Sequence, residues 1–517
     1  MTRPEVRLAR LLVRRHRGML GRWIALLVAL TGATTSAYQR TYTTAEQRRA
    51  ATEVFQHNAA STVLYGALGG AEPADMFVWE IGAFVTILAA IMAVLTAVAL
   101  TRVGEDDGTV ELLRGSGAPA TAPLRAALLA LAGVGGVLAI GCAGAVGLWA
   151  GRVDAVTWPG AVVFGAVVGA TFVVTAVLAV ALAQVAPTAT GARTLGLAVL
   201  GVAFLARAVA DLQDLPWLNW LSVLGLRATV RPFHGDRAWI VLVALAVAGC
   251  LAVLALWLSG RREHGAGLVA EREPRTPRRA LRSGLALTAR LVRRPATRWT
   301  AGVAVLGTAF AAMGSGAVEQ ARRAELSGFL AYIGTLIAIA TCVFAALSML
   351  AVPHEERDGV TDLVLSTGTR RWAPLAWRVG VTSVASMALL LVTGALSAAV
   401  VPVSLDGADV ALRAFWFAAG QWPAVVALTG WAALVAGLWP RRSWLVWIPL
   451  LVSAVLVLLG ELLGLGPDVR ELGLFGHVPD AAGADLRLAP LALLAALGLA
   501  GAAVGAWGTT RRDVASS

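Results

Sequence analysis

Long apolar segments recur along the whole chain, and each can cross a lipid bilayer as a helix. A membrane helix needs about 20 predominantly apolar residues, and by that criterion we predict about twelve spans. The predicted spans lie near 23–39, 78–100, 126–150, 158–186, 194–210, 238–259, 300–317, 330–352, 379–403, 414–439, 443–460 and 488–508. With 58% hydrophobic and 14% charged residues, the chain has more apolar surface than a water-soluble fold can bury. The sequence therefore predicts an all-α polytopic membrane protein.

The basic residues are all arginines, because the sequence holds no lysine among its 43 basic residues. A phosphate-binding P-loop and Schiff-base chemistry both require lysine, so both are excluded. Arginine is dense in the N-terminal segment and at 261–298, 441–442 and 511–512, which fall on one side of the predicted spans. The positive-inside rule makes that side the cytoplasm. We expect a protein of the inner (plasma) membrane with both termini cytoplasmic, and a net charge of +12 that serves membrane anchoring instead of nucleic-acid binding.

The three cysteines and six histidines follow no metal-binding or disulfide pattern. Cys142, Cys250 and Cys342 each lie inside a long apolar segment and are interpreted as small core residues. The sequence also has no paired acids at mid-span and no Ser–His pair at a defined spacing. We therefore predict no catalytic residue, no metal site and no cofactor bound by this chain.

One short motif occurs twice, after the second and after the eighth predicted span. The repeated residues are Glu105, Asp107, Gly108, Glu111 and Leu112, and Glu356, Asp358, Gly359, Asp362 and Leu363. The motif is followed at the same spacing by Pro123 in the first copy and Pro374 in the second. A basic Leu-Val-Arg-Arg stretch precedes the first span of each half, at 12–15 and 291–294. Two motifs at matching span positions indicate an internal repeat.

The repeat predicts two parallel six-helix halves with a pseudo-twofold axis along the membrane normal. We place the first half at 1–260, a basic cytoplasmic linker at 261–284 and the second half at 285–517. The stretches 6–17 and 285–294 alternate arginine with apolar residues, which is typical of interfacial elbow helices. The first outer loop, 41–75, is predicted to form one amphipathic helix.

The motif lies in two cytoplasmic loops, 102–124 and 353–375, which we call the repeated loops. Asp-Gly in each motif predicts a turn, and the residues after it, 109–114 and 360–365, predict a short helix at the membrane surface. Acidic residues near its start suit the helix dipole. An ordinary interfacial connector is the alternative, but a connector has no reason to repeat its acids. An exposed acidic helix suits a basic groove on a cytoplasmic partner.

The pattern Glu-x-Asp-Gly-x-x-Glu-Leu-Leu at 105–113 resembles the coupling-helix loop of the permeases of ABC-2-type exporters. The outer segment 220–237, with Arg231-Pro232-Phe233 and Gly235-Asp236-Arg237, is similar to that of fused actinobacterial antibiotic and multidrug efflux permeases of the tetronasin type. The second copy departs from the pattern at Asp362 and Val364, so its docking is expected to be weaker or different.

The resemblance implies the membrane subunit of an ATP-binding-cassette exporter that moves a hydrophobic small molecule out of the cell. It implies a separate cytoplasmic ATPase homodimer, two copies per chain, that docks on both repeated loops and binds ATP and Mg²⁺. The residues above would then couple the ATPase to the permease, and this chain would not itself be an enzyme. Its remaining partners are the bilayer and the exported molecule.

Ionisable residues within membrane spans are functional candidates because their burial is costly. Those of the outer side are Glu80, Arg207, Asp211, Asp214 and Glu461, which we predict to line a translocation path or outer vestibule. Glu80 is also interpretable as a residue at the membrane–water boundary. Arg207 and Asp211 stand at i, i+4 spacing, which favours a local ion pair over substrate contact.

A second function remains open on the sequence: a twelve-span secondary transporter driven by an ion gradient. Two six-span halves suit that class as well. The loop between spans two and three lacks the Gly-x-x-x-Asp-Arg pattern of the major facilitator class, and mid-span acids are scarce. The sequence therefore favours the ATP-driven exporter.

Overall fold

The computed structural model describes residues 4–57, 59–115, 117, 119–261, 283–318, 323–403, 409–460, 462–481 and 487–512. This part of the chain is helical, and its only β-type pairing is an isolated bridge between Ala150 and Val153. The chain divides into two compact units, Met1–Arg275 and Thr276–Ser517. The division falls within the predicted linker 261–284, of which 262–282 lie outside the described residues.

The first unit is a helical bundle around one central helix. Its helices are α1 (Pro4–Thr34), α2 (Ala37–Thr41), α3 (Ala45–His57), α4 (Ala59–Tyr65), α5 (Pro73–Leu100), α6 (Arg102–Asp106), α7 (Thr109–Gly115), α8 (Ala122–Gly147), α9 (Trp158–Val185), α10 (Ala189–Leu212), α11 (Pro216–Asn219), α12 (Leu226–Val230) and α13 (Trp239–Arg261). The central helix is α9, which is mostly buried and packs against α5, α8, α10 and α13. The outer helix α13 exposes large apolar side chains such as Leu242 and Val253, as a lipid-facing helix does.

The second unit is a separate bundle. Its helices are α14 (Gly284–Val318), α15 (Arg323–Arg357), α16 (Val360–Leu365), α17 (Ala373–Val400), α18 (Val410–Ala419), α19 (Trp422–Leu438), α20 (Trp447–Leu459), α21 (Pro467–Arg470) and α22 (Ala489–Arg511). Here α15 packs against α14, α17, α18 and α19, and α19 packs closely on α22. Proline in the first turn, where the missing N–H has no helical acceptor, fixes the starts of α5, α8, α9, α17, α19 and α22.

Within the described part of the chain, eleven helical segments are long and apolar enough to cross a membrane. The protein is therefore a multi-pass membrane protein. About twelve spans were predicted, and the one not among the eleven, 300–317, forms the second part of α14. The side chains at 313–318 lie outside the description, so the structure does not test that span.

Three other spans differ in detail from the prediction. The segment predicted at 414–439 is two helices, α18 and α19, because the chain breaks at Gly420 and Gln421 before Pro423 restarts it. The segment predicted at 443–460 begins as a 3-10 helix, Pro440–Val446, and continues as α20. The fifth span is longer than predicted, since α10 continues past Arg207, whose charge is paired.

The predicted elbow stretches are not separate helices. Residues 6–17 belong to α1 and residues 285–294 belong to α14, and both helices continue into the following apolar segment without a break. The first outer loop holds two short helices, α3 and α4, where one was predicted. It then leaves helical structure at Gly66, whose φ of +94° is accessible to glycine.

The last helix of each unit ends with the same side-chain pair. The guanidinium of Arg261 lies 3.8 Å from the ring centroid of Trp257, and that of Arg511 lies 4.3 Å from the ring centroid of Trp507. Trp and Arg one helical turn apart at the end of an apolar helix are typical of a membrane–water interface. These Trp–Arg pairs are a structural similarity between the two units.

Candidate functional site

The two repeated loops share a left-handed glycine turn and the short helix that follows it, although the helix before the turn is separate (α6) in the first loop and continuous with the span (α15) in the second. In the first, α6 and α7 are separated by a turn at Gly108, where φ is +71°. In the second, α15 and α16 are separated by a turn at Gly359, where φ is +75°. Left-handed glycines at Gly117 and Gly368 then follow the short helices. The turns and short helices predicted from the sequence are therefore present.

Each short helix exposes an acid and a leucine. Glu111 and Leu112 of α7 and Asp362 and Leu363 of α16 are exposed, and the leucines are exposed by 79% and 72% respectively. One exposed leucine is ordinary on a protein surface. The same leucine in both units, at the tip of the same motif and directly after a carboxylate, is a more specific arrangement, and it gives each unit a small apolar knob beside a negative charge.

The glutamate that opens each motif faces the opposite way. Glu356 is buried with 7% exposure and pairs with Arg512, and Glu105 pairs with the buried Arg102. These two glutamates therefore point into their units, whereas Glu111 and Asp362 point outward. The sequence grouped all four as coupling residues and gave no sign of this division.

The third acidic position of the motif is the aspartate of the Asp-Gly turn. Asp107 and Asp358 are exposed at the turns, and Asp107 lies 3.8 Å from the guanidinium of Arg15 on α1. Both members of that pair are about half exposed, with 55% of Arg15 and 50% of Asp107 accessible. Such surface pairs stabilise a fold little. The contact does show that the arginine-rich start of α1 lies beside the first repeated loop.

Replacing Gly108 with alanine is expected to destabilise the first repeated loop by about 1 kcal/mol, because L-residues are strained at positive φ. Space is not the cause, since a Cβ at Gly108 meets nothing within 4 Å. Gly133→Ala in the helical α8 is the matched control, because its Cβ also meets nothing within 4 Å. Hydrogen exchange of residues 105–113 measures the difference. Equal protection in both variants would contradict the expected strain.

A second polar cluster lies where α10 meets the first outer loop. A guanidinium nitrogen of Arg207 donates to Asp211 Oδ2 at 3.1 Å, and the second terminal nitrogen donates to the carbonyls of Leu64 (3.1 Å) and Val63 at the end of α4. Asn219 Nδ2 donates to the other carboxylate oxygen of Asp211 at 2.8 Å. The Arg207–Asp211 pair therefore fastens α4 to α10.

Arg227 belongs to the same cluster and was missed in the sequence. It is buried in α12 and donates to the carbonyls of Val78 (3.1 Å) and Tyr65. Burial is the main cause that lowers the pKa of Arg227 to about 10, and the positive charge of Arg207 is the second cause. The Arg227 side chain therefore stays charged at neutral pH. The available signal was a lone arginine within the apolar segment 223–230.

The other described residues of the predicted vestibule, Glu80 and Asp214, have different surroundings. Glu80 on α5 accepts a hydrogen bond from the buried side chain of Tyr38 on α2. Asp214 is exposed in the turn after α10, with a φ of +50°. Glu461 lies outside the described residues. Within the described ranges, no group of three or more His, Cys, Asp or Glu side chains is placed to hold a metal ion.

Comparison with known proteins identifies the family of the chain. Residues 281–509 match the family model described as "Multidrug efflux system permease Rv1217c, C-terminal domain". The multidrug efflux system permease protein Rv1217c of Mycobacterium tuberculosis is 32% identical over 535 aligned positions, covering 98% of this chain and 94% of the relative. The chain belongs to the Rv1217c family of multidrug efflux permeases. This membership confirms the resemblance to multidrug efflux permeases that the outer segment 220–237 indicated.

The match to the Rv1217c C-terminal domain covers α14 and continues almost to the end of α22, so it contains the second repeated loop. The first repeated loop and the cluster around Arg207 lie outside that domain, in the part that only the full-length alignment spans. The Rv1217c relative thus aligns with both units of this chain.

Proposed function

We propose that this chain is the membrane subunit of an ATP-binding-cassette exporter of the inner (plasma) membrane. A separately encoded ATPase homodimer docks on the two repeated loops, binds ATP and Mg²⁺, and drives a hydrophobic small molecule out of the cell. Both termini and both repeated loops face the cytoplasm. The chain itself carries no ATPase activity. The name of its relative, a permease of a multidrug efflux system, supports the transported class.

The observation that supports this proposal is the exposed acid–leucine pair that occurs once in each repeated loop. Leu112 and Leu363 project from equivalent short helices, each preceded by a carboxylate. An apolar pocket with a basic rim on the ATPase would bury each leucine and meet Glu111 or Asp362. Burying a leucine contributes about 2 kcal/mol, and rim charges mainly set orientation and association rate. Two equivalent tips suit the two equivalent subunits of a homodimer.

The test is affinity purification of the full chain from its own cells in mild detergent, followed by mass spectrometry. We expect a Walker-motif ATPase at about two copies per chain, because two sites are present. Leu112→Asp combined with Leu363→Asp is expected to abolish capture, and Glu111→Arg with Asp362→Arg to reduce it strongly. Glu46→Arg, an exposed acid on α3, is the matched charge-reversal control and is expected to retain the ATPase.

The same preparation distinguishes the ion-gradient alternative. Inside-out vesicles from the source cells are incubated with a hydrophobic fluorescent dye in the medium, and dye uptake is measured with ATP or with an imposed proton gradient. ATP-dependent uptake that disappears in the Leu112→Asp/Leu363→Asp chain supports the exporter. A folded chain that carries no ATPase and responds only to the proton gradient would overturn it in favour of a secondary transporter.

A further inference from the structure

The inward-facing glutamate of the first repeated loop is linked to the chain that follows a membrane helix. Arg102, 1% exposed, donates to Glu105 Oε2 at 2.6 Å and to the carbonyl oxygen of Pro187 at 2.5 Å. Pro187 lies in the short connection between α9, the fourth span of the first half, and α10. The guanidinium therefore bridges the loop carboxylate and the connection between α9 and α10.

The second half links its motif glutamate to the fourth span through a different arginine. Arg512 donates to Glu356 Oε1 at 2.5 Å and to the carbonyl oxygens of Gly437 (2.8 Å) and Ala436 (3.4 Å). Both carbonyls belong to the last turn of α19, which ends the fourth span of the second half. Glu105 and Glu356 are equivalent positions of the repeat, whereas Arg102 and Arg512 are not. In each half, an arginine therefore joins the motif glutamate either to the end of the fourth span or to the connection that follows it.

The chemistry of the link makes it stiff. Arginine presents a planar set of donors, and hydrogen bonds between charged groups are about twice as strong as those between neutral groups. The carbonyl end of a helix carries a partial negative charge, which a guanidinium also satisfies. In the second unit, the buried carboxylate of Glu356 and the carbonyl end of α19 thus share one cation, and in the first unit Glu105 and the carbonyl of Pro187 share another. Moving the loop away from the helix would leave charged groups unpaired.

We propose that Glu105 and Glu356 are positioning residues that transmit movement of each repeated loop to its fourth membrane span, Glu356 at the carbonyl end of α19 and Glu105, through Arg102, at the connection that follows α9. This inference rests on the proposed function, since the movement originates in the docked ATPase. Glu111, Leu112, Asp362 and Leu363 serve docking, whereas Glu105 and Glu356 serve transmission. The second link also includes the end of α22, through Arg512.

The test compares ATPase capture, ATP hydrolysis and dye transport by the purified complex in proteoliposomes. Glu356→Gln keeps the side-chain shape but removes the charge that binds Arg512. We expect the ATPase to stay bound and ATP hydrolysis to continue, while dye transported per ATP falls by about fivefold or more. Glu105→Gln is expected to act in the same direction.

Glu355→Gln is the matched control. Glu355 is the neighbouring acid and pairs with the buried Arg378 of α17, which does not reach the carbonyl end of α19. Its loss is expected to lower thermal stability without changing transport per ATP. Arg512→Lys provides a second test of the link, because lysine keeps the charge but lacks the planar fork.

The outcomes separate the two proposals. A wild-type chain that captures no ATPase would overturn the proposed function and this inference with it. A Glu356→Gln complex that binds the ATPase and transports as much dye per ATP as wild type would overturn this inference alone. The inference is also overturned if Glu355→Gln lowers transport per ATP equally, because the effect would then be a general loss of loop structure.

Discussion

Replacing Gly430 with valine is expected to prevent the second unit from folding. Gly430 lies on α19 where that helix crosses α22, and a Cβ placed on it would overlap the carbonyl oxygen and the Cα of Gly498. A Cβ on Gly437, two turns further along α19, would overlap the same backbone atoms of Gly505. Small residues at this spacing let membrane helices approach backbone to backbone.

The expected cost is large because the obstructing atoms are backbone atoms. Overpacked cores with movable side chains lose about 1–3 kcal/mol, and here α19 and α22 would have to separate along their common face. Fluorescence-detected size-exclusion chromatography in mild detergent measures the folded fraction, which we expect to fall to a small part of the wild-type value. Gly380→Val is the control, since Gly380 is an exposed glycine of α17 whose Cβ meets nothing within 4 Å. A monodisperse Gly430→Val protein would contradict the close crossing.

The sequence was sufficient for features that arise from neighbouring residues. Apolar length predicted where helices cross the membrane, and Asp-Gly predicted the turns at Gly108 and Gly359. The spacing of the motif predicted that both loops would share the turn and the short helix after it. Each of these inferences uses residues within one segment, where local geometry decides the result.

Features that depend on distant residues were not predictable in this way. Arg512 pairs with Glu356 across most of the second unit's sequence, and Arg227 meets carbonyls of α4 and α5. No spacing rule connects such positions. The repeat also does not predict the ion-pair partners of its glutamates. Glu105 and Glu356 are equivalent positions, but the arginines that pair with them are not. The interruption between α18 and α19 was also missed, although Gly420, Gln421 and Pro423 are a local signal for a helix break.

Replacing Arg207 with methionine is expected to release the first outer loop from α10. Methionine fills similar space but donates no hydrogen bonds, so the carbonyls of Val63 and Leu64 lose their donor, and Asp211 keeps the hydrogen bond from Asn219 and the charge of Arg227 but loses its ion pair. Removing one partner of a buried ion pair costs about 3–5 kcal/mol. Because the contacts are with α4, we expect the loss to appear first as local opening of residues 59–65.

Hydrogen exchange with mass spectrometry measures that opening. We expect exchange of residues 59–65 to rise by two orders of magnitude or more, since each factor of ten corresponds to about 1.4 kcal/mol. Exchange in α8, which packs against α9 and α1, is expected to change little. Arg237→Met, an exposed arginine of the same outer segment, is the control and is expected to leave exchange as in wild type. Unchanged protection of α4 in Arg207→Met would show that these hydrogen bonds do not hold the loop.

A double variant separates the two parts of the effect. Arg207→Met with Asp211→Leu removes the unpaired carboxylate that the single variant leaves buried, and replacing a whole buried pair by apolar residues often costs little. Protection of α4 is therefore expected to recover only in part, because the carbonyls of Val63 and Leu64 still lack their donor. The recovered part measures the penalty of the isolated Asp211, and the remaining loss measures the hydrogen bonds from Arg207 to α4. Full recovery would mean that the ion pair alone, and not its link to α4, sets the stability of the outer loop.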